Sequence, residues 1–488
     1  MNISIIRYVL GQVLRLEGFF LLLPCLVALI YRETSGFAFL ATALLCISLG
    51  TLMTFKKPKS NIFYLKEGCI TTALSWIVLS IFGALPFTFS GEIPSFTDAM
   101  FETVSGFTTT GASIVSDVEA LSHCTLIWRS FTHWIGGMGV LVFLLAIVPL
   151  SGGSNINLMR AESPGPSVGK LVPKMRLTAR ILYGIYIFMS IVMLILLRLG
   201  NMPLFEALCT TFGTAGTGGF SFLNDGMASY SPYLQWVITI FMILFGVNFN
   251  AYYFILYKQF RKAFTMEEVR YYFLIIFAAI AFIFLDTLDM FSSAFEALTH
   301  TAFQVGSIIT TTGYSTTDFN LWPETSRMIL VLLMFIGACA GSTGGGMKVS
   351  RFIILFKTIG KEFHSYIHPR SIKKIQLDGK PVEHEVIRSI NVYCFTFATI
   401  FCASMLLISL EGYDFTTNFT AVAATFNNIG PGLSMVGPAS NFSFLSDFST
   451  WVLTFDMLAG RLELFPLLLL FHPKIWIDFV QNKRKETV

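Results

Sequence analysis

The chain has 488 residues, 54% of them hydrophobic and 13% charged, with 50 phenylalanines and a formal net charge of +4. That balance excludes a set of water-soluble domains and describes a polytopic membrane protein. Its length is consumed by spans of roughly 20 residues, each long enough to cross a hydrocarbon core of about 30 Å.

The first apolar stretch carries Arg15 and Glu17, and no small-residue cleavage pattern follows it, so it reads as a retained helix. Spans are predicted at 5–30 and 37–55. Four pairs follow: 69–90 with 124–149, 178–200 with 232–257, 271–288 with 327–356, and 388–410 with 448–471. Between the members of each pair lies a short re-entrant segment rich in Thr and Gly. These read FTTTGAS (107–113), GTAGTGGFS (213–221), ITTTGYS (309–315) and FNNIGPG (426–432). The fold class is therefore an all-α polytopic membrane protein, with four helix–pore-loop–helix repeats in pseudo-fourfold symmetry around one pore and two N-terminal helices. The expected division is an N-terminal helix pair (1–66) and repeats over 67–150, 151–265, 266–380 and 381–488. Phe101 with Glu102, Phe205 with Glu206 and Phe295 with Glu296 are expected to open the first three short helices, with Asp98 and Ser292 as N-caps. In the fourth, Asp414 and Thr416 precede Asn418 and Phe419.

Eight scattered cysteines, with no paired spacing, read as small apolar residues. His123 beside Cys124 is too little for a metal site. Charge sets the orientation. Segments 56–66, 151–180, 257–270, 357–388 and 472–488 hold 24 of the 33 Lys and Arg. Segments 91–123, 199–230, 286–326 and 411–450 hold none, and carry 15 Asp or Glu. Positive loops stay inside, so the Thr/Gly loops face outward and both termini are cytoplasmic. The outer acids either concentrate cations at the mouth or are ordinary solvated loop residues.

A short helix aimed at the pore centre puts its partially negative C-terminal end there and favours a cation. The strand after it can present backbone carbonyls in place of a hydration shell, and glycine supplies the dihedrals that aim them. The candidate ligands are Thr110 and Gly111, Thr217 and Gly218, Thr312 and Gly313, and Ile429 and Gly430. The copies are unequal: the second loop reads as two residues longer, and the fourth has Asn427 and Asn428 in place of threonines. One Thr/Gly cluster between helices is ordinarily a turn; four at equivalent places argue for a ring. With one glycine per loop, the expected filter is shorter and less selective than a Thr-Val-Gly-Tyr-Gly run.

The second span of the third repeat contains GACAGSTGGG (337–346), followed by Met347 and Lys348. Glycine at this density breaks a helix, and broken backbone at membrane depth is tolerated where it is buried in protein or lines a cavity. The segment is placed as a loop beneath the filter; close helix packing by small residues is the alternative. A phosphate-loop reading fails, because Met stands where Lys is needed and no strand precedes it. Arg461 lies inside the last span with no acid three or four residues away, so its partner comes from another helix, the glycine loop or pore water, unless it snorkels to the inner surface. Arg129 and Arg327 read as interfacial anchors, and Asp456 and Glu463 as the clear acids within span cores.

These motifs resemble the TrkH family, the membrane subunits of the bacterial Trk potassium uptake systems, in the superfamily that also holds the bacterial Ktr and the plant and fungal Trk/HKT transporters. The likeness covers essentially the whole chain. It implies K⁺ as the ion, because glycine at all four filter positions goes with K⁺ preference there. Asn427, Asn428, Ile429 and Gly430 match the family's variation in the fourth loop. The resemblance further implies a gate made of Ala340, Gly341, Ser342, Thr343, Gly344, Gly345 and Gly346 that obstructs the pore and moves on activation, with Arg461 projecting into the pore below the filter. It implies a homodimer in the cell inner membrane, seated on a cytosolic TrkA-like nucleotide-binding ring. Lys357, Lys361, Arg370, Lys373, Lys374 and Lys380 then either follow the positive-inside rule with anionic membrane lipid or form the docking surface for that ring. An ion-coupled secondary transporter of another substrate and a membrane-embedded enzyme are the rival readings. The first is weakened by few mid-span acids. The second is weakened by the lack of HExxH, GxSxG or metal-spaced His motifs, so no enzymatic activity is expected.

Overall fold

The structure is a computed structural model and describes residues 2–58, 64–139, 175–371, 374–475 and 477. Two N-terminal spans come first. Ile3–Phe20 continues through Leu21 into Leu22–Tyr31, and Gly36–Thr54 packs back along it. The crossing is close because small residues meet: a Cβ on Gly50 would lie 2.6 Å from the Gly11 carbonyl oxygen, and one on Gly18 2.9 Å from that of Ala43.

Four repeats of outer helix, pore helix and inner helix follow. The outer helices are Leu65–Ser90, Met175–Leu199, Glu267–Thr287 and His384–Ile408. The pore helices are Phe96–Phe107, Leu204–Gly216, Ala294–Ile309 and Phe415–Phe426. Among the described residues, the two N-terminal spans and the four outer helices are long and apolar enough to cross a membrane, and a bent pair in the second repeat makes a seventh.

The second and fourth inner helices depart from the expected continuous spans, while the third breaks at the glycine run as expected. The first runs His123–Gly137, and residues 140–149 lie outside the described residues. The second breaks after Phe245 and resumes as Phe249–Leu256 at 91°. The third stops at Ile336, passes through a non-helical segment and resumes at Val349. The fourth ends at Arg461, and Glu463 and Leu464 take positive φ before Phe465–Leu469. Backbone freed at membrane depth needs partners. The second and third breaks satisfy each other: Cys339 N–H donates to the Gly246 carbonyl (3.0 Å), Thr343 N–H to that of Phe245 (3.4 Å), and Phe249 N–H to that of Gly341 (3.1 Å).

The pore-helix starts also differ from expectation. Ser95, Ser293 and Asp414 accept from Asp98, Glu296 and Thr417 backbone N–H. Asp98 sits in the first turn rather than at the cap, and Ser292 lies one residue before it. Phe101 and Glu102 fall in mid-helix because that helix begins at Phe96. Gln376–Leu377 and Lys380–Pro381 form a small antiparallel turn between the third and fourth repeats.

Candidate ion pathway

The pore helices all end the same way. Just past each helix end, one backbone N–H reaches back five residues: Thr110 to Ser105 (2.9 Å), Gly218 to Gly213 (2.8 Å), Thr312 to Ser307 (2.8 Å) and Ile429 to Ala424 (2.8 Å). This is the closure of a Schellman-type C-cap, which needs a left-handed residue just before it. That residue is Thr109 (φ 56°), Thr217 (54°), Thr311 (59°) and Asn428 (56°). A β-branched residue there is strained, and such strain persists only where surrounding contacts over-determine it. Two residues further on, φ is positive again, at Gly111 (79°), Gly219 (80°), Gly313 (85°) and Gly430 (100°).

This pattern corrects the expected register of the second loop. Gly218 occupies the place of Thr110, Thr312 and Ile429; Thr217 occupies that of Thr109, Thr311 and Asn428; and the equivalent glycine is Gly219. From left-handed residue to glycine the four loops have one length, so the second is not longer. Gly218 has no side chain because the His133 imidazole fills the space: a Cβ there would overlap its Nδ1.

The four loops close on one another. A Cβ on Gly111 would lie 2.0 Å from the Gly218 carbonyl oxygen, one on Gly219 1.8 Å from that of Thr312, one on Gly313 2.0 Å from that of Ile429, and one on Gly430 2.8 Å from that of Thr110. Each glycine thus abuts a carbonyl of the next repeat, and the fourth returns to the first. Above the ring, Gly111, Gly219, Gly313 and Gly430 all line a cavity of about 270 Å³. The loops are also braced laterally. Thr108 and Thr110 hydroxyls lie 2.7 Å apart, as do those of Thr310 and Thr312. In the fourth repeat, the Asn428 amide donates instead to Thr110 Oγ1 (2.9 Å) and to the Met457 carbonyl (2.9 Å), tying that loop to the first repeat and to its own inner helix.

Arg129 is not an interfacial anchor. It is 2% exposed, behind the ring of loops, and its Nε donates to Glu102 Oε1 at 2.7 Å. It also donates to the Ser221 carbonyl and Ser113 Oγ, and its guanidinium lies over the Phe220 ring. Glu102 Oε2 accepts from Ile114 N–H (3.0 Å). The pair therefore sets the outer strands of two loops. Arg327 does lie at a helix start, paired with Glu324 three residues before it. Breaking a buried ion pair costs about 3–5 kcal/mol, so Glu102→Ala is expected to lower the melting temperature by several degrees and to weaken ion discrimination. A thermal melt together with a permeability ratio checks it; unchanged values in both would remove the pair from filter support.

The glycine-rich segment lies directly beneath. Gly345 N–H donates to Thr311 Oγ1 (2.5 Å) and Gly346 N–H to the Asn427 carbonyl (3.0 Å). A Cβ on Gly344 would lie 2.8 Å from the Thr310 carbonyl oxygen, and one on Gly345 2.5 Å from that of Asn427. The consecutive glycines therefore let backbone pack against the underside of two of the four loops. Arg461 donates to the Thr343 carbonyl (3.1 Å) and to those of Gly136 (2.5 Å) and Gly137 (3.0 Å). Of the partners left open by the sequence, the loop and a second helix are both present; Arg461 does not snorkel. Below it, Lys348 donates to the Gly344 carbonyl, and Arg351 pairs with Glu463 and lies over the Tyr393 ring. Asp456 is buried and accepts from Ser404 Oγ (2.7 Å). Three further acids, Glu17, Glu67 and Glu268, are buried in helices although the sequence does not mark them as core acids. Their positions near helix starts or beside Arg15 in the sequence disguised them.

The family model described as "TrkH: Cation transport protein" matches residues 35–478. The chain belongs to the TrkH family. The TrkH-family relatives include the "Trk system potassium uptake protein TrkH" of Salmonella typhimurium, 36% identical over 98% of this chain and 100% of the relative. The TrkI protein of Halomonas elongata is 31% identical over 94% of each. The crystal structure of the potassium transporter TrkH from Vibrio parahaemolyticus aligns with a TM-score of 0.87 at 32% identity, covering 98% of this chain and 100% of that one. As a TrkH-family member, the chain has the all-α, four-repeat membrane fold that its loops implied.

Proposed function

We propose that this chain takes up K⁺ across the cytoplasmic membrane as a passive or gradient-driven translocation subunit with no covalent chemistry. The observation that carries the reading is the closed sequence of glycine–carbonyl contacts through all four repeats. Carbonyls of Thr110, Gly218, Thr312 and Ile429, with Gly111, Gly219, Gly313 and Gly430, form the selectivity filter, aided by the pore-helix ends. K⁺ is the cargo, in keeping with the names of the relatives. The cavity above the glycines is the outer mouth, both termini are cytoplasmic, and the division into a helix pair and four repeats is part of the same proposal. Liposomes holding the purified protein should admit ⁸⁶Rb⁺ or K⁺ in preference to Na⁺; flux indifferent to the cation would refute the filter.

The gate in this reading is residues 340–346 with Arg461. The chain works as a homodimer among membrane lipids, with a cytosolic TrkA-like nucleotide-binding ring. The basic stretch 357–388 is the docking surface. Lys357 there pairs with Glu267, and Lys361 and Lys374 flank a cavity of about 540 Å³; Lys373 lies outside the described residues. Neutralising Lys373 and Lys374 together is expected to weaken co-purification with such a ring several-fold, in a salt-sensitive manner. Intact binding and an unchanged nucleotide response would take this stretch out of the interface and leave the pore assignment standing.

A further inference from the structure

The gate segment does not hang free beneath the filter. It is seated in the break of the second repeat's inner helix, and one buried acid joins the two. Glu268, 5% exposed, is the second residue of the third outer helix. Its Oε1 accepts from Ala340 N–H (2.6 Å) and from Ser350 N–H (3.2 Å), one on each side of the glycine run. Its Oε2 accepts from the Asn248 side-chain amide (3.0 Å), and Asn248 sits at the 91° bend. The Asn248 Oδ1 in turn caps the following helix through Asn250 N–H (2.9 Å). A carboxylate that accepts several N–H groups holds all of them in one geometry. Its neighbour Glu267 faces the other way, accepting from Lys357 and from Asp378 N–H (3.0 Å) in the small antiparallel turn. Adjacent acids at one helix start thus touch the gate on one side and the basic loop on the other.

We propose that Glu268 is a positioning residue of the closed gate: together with Asn248 it pins both ends of the glycine segment to the broken second-repeat helix, so that opening requires this joint to part. The proposal deepens the gating reading above and rests on it. It predicts a directional pairing, carboxylate as acceptor and amide as donor. Glu268→Gln sets amide against amide. Asn248→Asp sets carboxylate against carboxylate. Both replacements match the native side chains in shape, so folding is preserved. Loss of one charge-assisted bond shifts a two-state gate roughly tenfold. Each single variant should therefore raise basal K⁺ flux in liposomes by about that factor.

The double variant Glu268→Gln with Asn248→Asp restores the pairing with its polarity reversed: the Gln oxygen still accepts from the loop N–H groups and its amide donates to the Asp. It should return basal flux to within about threefold of the unmodified protein. Cys339, buried within the segment, gives a second readout: its labelling by a maleimide should rise in both single variants and fall again in the double. Single variants with unmodified flux and labelling, or a double variant as leaky as either single, would overturn the proposal. The gating reading itself fails separately, if deletion of Gly344 to Gly346 leaves basal flux unchanged. Pinning by Glu268 fails alone if that deletion opens the pore while Glu268→Gln does not.

Discussion

Gly219→Ala should cost the protein its discrimination between K⁺ and Na⁺, with the permeability ratio falling tenfold or more. Two effects combine. Alanine at a φ of 80° carries the left-handed penalty of about 1–2 kcal/mol. Its methyl would also stand 1.8 Å from the Thr312 carbonyl oxygen, a backbone atom that can yield only if the third loop moves. Since about 1.4 kcal/mol is a factor of ten, the combined cost is enough to open the ring. Gly111→Ser and Gly313→Ser act by the same contact, each at 2.0 Å. Gly218→Ala offers a control. Its Cβ meets the His133 imidazole and not the ring, so it should be damaging alone and recovered by His133→Ala. Other repeats carry Thr110, Thr312 and Ile429 at that place, so a side chain there is compatible with the filter. Bi-ionic reversal potentials decide the matter. A native ratio in Gly219→Ala would end the register assignment, and failure of His133→Ala to recover Gly218→Ala would end the account of that glycine.

Arg461→Ala is expected to raise basal flux tenfold or more. The guanidinium joins the Thr343 carbonyl to those of Gly136 and Gly137, that is, the glycine-rich segment, proposed as the gate, to the first repeat's inner helix. Hydrogen bonds to a charged group are worth about 1.5–3 kcal/mol each. Losing them removes the tie, along with a positive charge facing a cation path at a depth where charge is costly. Arg461→Lys separates the two contributions. It keeps the charge and loses the planar fork that reaches carbonyls on two elements at once, so it should leak to an intermediate degree. Deleting Gly344 to Gly346 should match or exceed Arg461→Ala, because it withdraws the backbone from beneath Thr310 and Asn427. Reduced flux in a well-folded Arg461→Ala protein would assign the residue to packing instead.

Much of this architecture is written locally. Apolar runs of sufficient length, four Thr/Gly segments at equivalent places, and Lys and Arg concentrated in alternate loops are properties of consecutive residues, and they sufficed for the membrane class, the fourfold repetition and the family. The glycine run at 337–346 favoured a broken helix over close helix packing because consecutive glycines exceed what packing needs. What the sequence left open were matters settled between distant segments. In GTAGTGGFS four glycines compete for one role, and only the closing of the second loop on Thr312 selects Gly219. The bend after Phe245 has a single glycine and no proline to announce it; the glycine-rich segment of the third repeat supplies the donors and acceptors that the broken helix lacks. Arg129 meets Glu102 across 27 residues, and Arg461 meets Gly136 across 325. Such partners carry no periodicity and no composition bias, so a lone charge in a span reads as an anchor or an oddity until the tertiary fold brings its counterpart within hydrogen-bonding reach.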